Sequence, residues 1–159
     1  MQSAFTVCFF GHRRIEKFHM AEERTEALVR SLMREKETVV FLVGRDGEYD
    51  QIVSSAIRKA QRELGTDNSI HIWVLPYNKA ELAQNRASFE SYYDEIEICE
   101  FSETAHPKVA IQLRNRSMVD RSDLCVFFVE CSSGGAWRTM QYAIKHGKKW
   151  INLLESESC

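Results

Sequence analysis

The chain of 159 residues has only two prolines and seven glycines. That excludes a collagen-like, linker-like or low-complexity polypeptide. Long apolar runs are missing as well. Val39-Val40-Phe41-Leu42-Val43 has the length of a strand, far below the ~20 residues of a membrane-spanning helix. Phe5 to Phe10 leads into His12-Arg13-Arg14 rather than a small-residue cleavage site, so the start does not follow the plan of a signal peptide, and a cytoplasmic setting is expected. The five cysteines are an odd number without C-x-x-C spacing, which argues against a disulfide framework or a zinc site. Cys8, Cys99 and Cys125 lie in apolar stretches that suit buried thiols, whereas Cys131 adjoins a loop rich in serine and glycine. His19, His71, His106 and His146 have no metal-ligand spacing, so no metal or cofactor is expected. Charge of one sign is also lacking. Twenty-one Lys and Arg against 23 Asp and Glu leave a formal charge of -2, which gives no broad field for nucleic acid or an anionic membrane. Any anion must therefore be met by a few basic residues placed locally.

What is present is the composition of a folded domain, 44% hydrophobic and 28% charged. The length suits one core, and a single domain over residues 1–154 is expected, with 155–159 as a frayed tail. Phe5 to Phe10 reads as a buried strand, and Leu28, Val29, Leu32 and Met33 then mark one face of a helix. Thr38 to Val43 is a second strand. Tyr49, Ile52, Val53, Ala56, Ile57, Ala60 and Leu64 line a second helix that stops near Gly65. Ile70 to Leu75 is a third strand, Lys79 to Tyr93 holds a short helix, and Ile96 to Phe101 is a fourth strand. Pro107 opens a helix through about Val119, Leu124 to Val129 is a fifth strand, a helix follows to about Gly147, and Trp150 to Leu154 closes the sheet. Strands apolar on both faces and alternating with helices predict an α/β, Rossmann-like, doubly wound domain. Its sheet would be mainly parallel, with five to six strands and helices on both faces.

In such sheets ligands bind at the carboxyl ends of the strands, near the switch in strand order. The loops there carry the candidate residues. Gly11-His12-Arg13 follows the first strand, where glycine admits a close backbone approach and the basic residues supply charge to a phosphate. Gly44, Gly47 and Asp50 follow the second strand; Asp50 either caps the helix start or accepts a hydrogen bond from a ribose hydroxyl. Ser133-Gly134-Gly135 opens the helix carrying Trp137 and Thr139, an arrangement whose free N–H groups suit a phosphate. Each loop also admits a plain reading as a strand-to-helix turn. Arg114, Asn115 and Arg116 precede a buried strand, and on a helix two arginines two apart point in different directions, so only one of Arg114 and Arg116 faces a ligand. From pattern alone that run is a salt-bridged helix end. Tyr92 and Tyr93 are candidates for an interface between copies.

Together, Phe9-Phe10-Gly11-His12-Arg13, Leu75-Pro76-Tyr77, the run Arg114 to Asp123 and Gly134-Gly135 resemble the SLOG superfamily, closest to its small YpsA-like bacterial branch. The resemblance covers nearly the whole chain. It implies a Rossmann-like fold and a pocket for a nucleotide or nucleotide derivative at the strand ends, in a binding or sensing protein, with pairing into a homodimer as an open alternative. The sequence also departs from the family. The branch pattern G-x-x-x-G-x-D is kept at Gly44 and Asp50, but the middle glycine, Gly47, falls one position early. The LOG phosphoribohydrolases carry P-G-G-x-G-T-x-x-E, and here Gln141 falls near the acidic position, leaving Glu130 or Asp50 as substitutes. The expected function is therefore nucleotide binding. An N-glycosidase acting on nucleoside 5′-monophosphates is the enzymatic alternative. A single-strand DNA-binding module like the Smf/DprA relatives is third, disfavoured by the net charge.

Overall fold

The computed structural model describes residues 4–155. Six strands form one parallel sheet in the order β4-β3-β2-β1-β5-β6, where β1 is Phe5–Gly11, β2 Val39–Val43, β3 Ser69–Leu75, β4 Glu95–Ile98, β5 Leu124–Phe128 and β6 Trp150–Asn152. The chain winds outward from β1 to β4, then returns to the other side of β1 to lay down β5 and β6. The strand order therefore reverses between β1 and β5, and their carboxyl ends diverge into a crevice.

Alternation along the central strands sends side chains into two separate cores. Val7 and Phe9 of β1 and Leu124, Val126 and Phe128 of β5 enter one; Cys8, Phe10, Cys125 and Phe127 enter the other. Helices α1 (Phe18–Glu35) and α2 (Glu48–Leu64) cover the first core, joined by the short α3 (Ala80–Gln84) and α4 (Arg86–Tyr92) through Leu82 and Phe89. Helices α5 (Pro107–Asp120) and α6 (Gly135–Lys145) cover the second through Met118, Val119, Ala136, Met140 and Ala143. Burial on both faces explains why the central strands have continuous apolar sequences, each large side chain contributing roughly 1.5–3 kcal/mol.

The expected Rossmann-like, doubly wound α/β architecture is thus found, with differences at the sheet edge. The fourth strand is Glu95–Ile98 rather than Ile96 to Phe101, because β4 lies at the edge and pairs only with β3. Beyond it the chain turns, fixed by the Ser102 hydroxyl donating to the Pro76 carbonyl at 2.6 Å, and Phe101 is left 76% exposed. The segment from Lys79 to Tyr93 forms two short helices instead of one, broken at Asn85. The last strand stops at Asn152 rather than Leu154, and Leu153–Glu155 is a 3-10 turn; residues 156–159 of the expected tail lie outside the described residues. Tyr93 is not an interface residue: it packs in the core against Trp73 and His71. Tyr92 is half-buried with the Arg58 guanidinium over its ring. Cys8, Cys99 and Cys125 are buried and Cys131 is exposed, all four as free thiols. Among the described residues no cluster of His, Cys, Asp and Glu could hold a metal ion, and no helix is long and apolar enough to cross a membrane.

Candidate functional site

A cavity of about 260 Å³ opens at the crevice beside β1. It is lined by Arg13 from the loop after β1, by Gly44, Asp46 and Asp50 after β2, by one face of α5, and by Gly135, Ala136 and Arg138 at the start of α6. The α5 residues Lys108, Ile111, Gln112, Asn115 and Met118 follow helical spacing, so a single helix face forms one wall.

The floor is a hydrogen-bonded network. Arg114, almost fully buried, donates from Nε to Asn115 Oδ1 at 2.9 Å, from one terminal nitrogen to the Val74 carbonyl at 2.7 Å and from the other to Asp46 Oδ2 at 2.9 Å. Lys79 donates to the other Asp46 oxygen at 3.0 Å. Burial alone would push the Asp46 carboxyl up, but the Arg114 and Lys79 charges outweigh it and hold the group below its ordinary range. Asp50 is different. Its Oδ2 accepts the Asp46 N–H at 2.7 Å, and no cation pairs with it. Burial dominates there and pushes its carboxyl up to about 6, against the pull of the local N–H groups and the more distant Arg114. Asn115 donates to the Thr139 hydroxyl at 3.1 Å, which itself donates to the Gly135 carbonyl at 2.9 Å, tying α5 to the first turn of α6.

The loop bearing Arg13 is held from both sides. The Ile15 N–H donates to Glu48 at 2.7 Å, and the Glu16 and Lys17 N–H groups donate to the two Glu130 carboxylate oxygens at 3.1 and 2.8 Å. Glu48 and Tyr49 N–H groups at the start of α2 return bonds to the Arg13 and His12 carbonyls. Two glycines make this closeness possible. A Cβ on Gly11 would overlap the ring of the buried Tyr49, and one on Gly47 would lie 2.5 Å from Arg13 Cα. At α6 the N-cap Gly134 adopts φ +91 and offers no side-chain cap, so the first N–H groups of the helix have no side-chain partner at the cavity edge.

Of the sequence candidates, Arg13, Gly44, Asp50, Arg114, Asn115 and Gly135 line the cavity. Gly11, Gly47 and Thr139 stand behind it as packing and tethering positions. His12 lies outside its lining, its Nε2 accepting the Glu130 N–H at 3.0 Å, with Cys131 Sγ at 3.7 Å. Gly134 turns the chain into α6, and Ser133 is exposed beside Cys131. Arg116 points away, over the Tyr142 ring on another groove, so of the two arginines Arg114 is the one at the cavity. Asp50, in the first turn of α2, accepts the Asp46 N–H of its own loop and also faces the cavity, while the N-cap itself, Gly47, has no side-chain cap. Glu130 spends its carboxylate on Glu16 and Lys17 and is not among the lining residues. Sequence reasoning missed Asp46, Lys108, Gln112 and Arg138. Asp46 lies between two chosen glycines, and Lys108 and Gln112 fall seven and three residues before Asn115, on the same helix face; those spacings are the signal that could have found them.

No protein-family model matches the chain, and no curated protein matches it. Among solved structures it is similar to DNA processing protein A from Helicobacter pylori, described for its single-stranded DNA binding mode, with a TM-score of 0.63 and 19% identity, covering 92% of this chain and 63% of that one. It is also similar to DNA processing protein A from Streptococcus pneumoniae, with a TM-score of 0.56 and 14% identity, covering 97% of this chain and 62% of that one. The chain thus spans less than two thirds of either protein. The likeness establishes a shared Rossmann-like α/β fold.

Proposed function

We propose that the protein is a cytoplasmic nucleotide-binding domain of the SLOG type, of its YpsA-like branch, and that the cavity beside β1 takes a phosphorylated nucleotide or nucleotide derivative. One observation carries this reading. The side chains of Arg13, Lys108 and Arg138, from three separate elements, line one small cavity, and among the described residues none makes a hydrogen bond or ion pair with another side chain. Three uncompensated cations beside the start of α6 favour an anion there. Arg114, by contrast, spends three nitrogens on the floor and serves to shape it. The Gln112 amide and the backbone at Gly44 are the polar groups available to a ribose.

Isothermal titration against nucleoside mono- and diphosphates and ADP-ribose tests the reading. Binding in the micromolar range is expected, weakened at least about tenfold in the Arg13→Ala and Arg138→Ala variants, since each removes a charge-assisted contact worth roughly 1.5–3 kcal/mol. No binding below millimolar by the folded protein would refute it. If free base is released from a monophosphate and Asp50→Asn abolishes the release, the N-glycosidase alternative takes its place, with Asp50 rather than Glu130 as the acid.

A second reading, single-stranded DNA binding, is favoured by the fold shared with the Helicobacter protein. Arg13, Arg14, Lys108 and Arg138 are exposed near the same rim and could meet a strand. Anisotropy of a labelled oligonucleotide, with affinity falling steeply as salt rises, would support it.

A further inference from the structure

Two carboxylates reach the cavity, four residues apart, and only one is neutralised. Asp46 is clamped between Arg114 and Lys79, and every nitrogen of Arg114 is already directed at the floor. Asp50 receives only backbone N–H groups, from Asp46 and its neighbour Gly47, and among the described residues no cation bonds to it. It therefore stands as an unpaired carboxylate in the same small space as Arg13, Lys108 and Arg138. At about 260 Å³ the cavity is small, and an anion drawn in by the three cations stands close to Asp50.

An ionised carboxylate only accepts hydrogen bonds, and so does a fully deprotonated oxyanion. Two such groups side by side repel, unless one proton lies between them. We propose that Asp50 makes this cavity selective for a phosphate monoester, with which it shares one proton, over a phosphodiester or sulfate, which has no proton to share. The inference rests on the anion-binding reading above and adds the ligand's chemical class to it. A phosphate monoester takes up its second proton near pH 6. Burial brings the Asp50 carboxyl to about the same value, so the two groups are matched for sharing. The other charged groups on the cavity are Arg13 from the loop after β1, Lys108 and Arg114 from α5, Arg138 from α6 and Asp46, with Lys79 behind Asp46. No proton leaves or enters the pair when the ligand arrives as the monoanion and Asp50 as the carboxylate.

The test is calorimetric binding of inorganic phosphate and inorganic sulfate to the full chain at pH 6.5, for the wild type and Asp50→Asn, with a nucleoside 5′-monophosphate and its methyl ester as a second pair. The wild type is expected to prefer phosphate over sulfate, and monoester over methyl ester, by at least about tenfold, the loss that attends one unmade charged hydrogen bond. Asp50→Asn, whose amide can donate, should abolish both preferences. Equal binding of phosphate and sulfate by the wild type, or a preference that survives Asp50→Asn, overturns the proposal while leaving anion binding intact. Failure of all four ligands to bind overturns the nucleotide reading itself. Should the variant not fold, the wild type alone decides. Sulfate affinity is expected to rise about tenfold from pH 7.5 to 5, as Asp50 gains its own proton, and a flat profile overturns the proposal.

Discussion

Asp50→Asn should make the protein more stable at neutral pH, and the reason follows from the site. The folded chain keeps the Asp50 carboxyl half-buried without a cationic partner, and burial raises its midpoint from an ordinary 3.8 to about 6. Between those values the folded state holds a proton that the unfolded state has released. Folding is therefore favoured by acid across this window, and the full penalty of an ionised Asp50 is present above pH 6. At about 1.36 kcal/mol for each pH unit, the rise amounts to about 3 kcal/mol. Asparagine is nearly isosteric with the protonated carboxyl and its oxygen can still accept the Asp46 N–H, so the variant escapes the penalty. Urea unfolding followed by circular dichroism at several pH values from 4 to 8 measures this. The two proteins should be close in stability near pH 4, and the variant should gain up to about 3 kcal/mol on the wild type by pH 7.5. The comparison must be a difference, because His71 opposes the trend. Burial lowers its midpoint from 6.5 to about 4, so the unfolded state takes up the proton first and stability is lost as pH falls from 6.5 towards 4. His71 is common to both proteins and cancels. A gap that is constant with pH, or that widens towards acid, would refute the assignment of Asp50 as an unpaired buried carboxylate.

Gly11→Ala places a methyl group into the ring of the fully buried Tyr49, whose hydroxyl is held by Thr25 at 3.0 Å. The ring has no room to yield, and a loss of about 1–3 kcal/mol in chemical denaturation is expected, as for other overpacked cores. Arg114→Met removes one of the two cations on the part-buried Asp46 carboxylate, Lys79 remaining, and the donor to the Val74 carbonyl, which should cost about 1.5–3 kcal/mol in the same assay. Adding Asp46→Asn should restore part of that loss, and strict additivity of the two substitutions would show that they do not interact.

The central strands were legible because their side chains are buried on both faces. Phe5 to Phe10, Thr38 to Val43, Ile70 to Leu75 and Leu124 to Val129 leave little room for another reading, and each is found within a residue or so. The edge was not legible for the opposite reason. Glu95-Ile96-Glu97-Ile98 alternates over only four residues, and the apolar Cys99 and Phe101 suggested a strand that continues, although Cys99 packs into a turn and Phe101 faces solvent. Helix α5 showed little amphipathicity because Arg114 and Asn115, polar residues, lie on its buried side. The glycine loops of the site stood out in the sequence. The cations did not, since Lys108 and Arg138 look like ordinary surface residues until the return of the chain to the other side of β1 brings α5 and α6 against the loop bearing Arg13.

Gly47, one departure from the SLOG pattern, and Glu130, a substitute considered for the LOG acid, act on the same loop. Gly47, one position early, is where the start of α2 presses on the Arg13 backbone, a contact that any Cβ would block. Glu130, considered as a replacement for the missing catalytic acid, instead accepts the Glu16 and Lys17 N–H groups a few residues further along the same loop. Together with Glu48 on Ile15 and the Tyr49 N–H on the His12 carbonyl, these bonds fix the loop backbone on either side of Arg13 while leaving its side chain unpaired among the described residues. A loop already held in place loses little further backbone freedom when a ligand arrives, so more of the Arg13 contact energy remains as affinity. The departures therefore weaken the case for the LOG type of chemistry and strengthen the case for a rigid anion site. Under the proposed reading, a chain with a formal charge of -2 would draw its affinity for an anion from three cations gathered on one small cavity, with no need for a basic surface.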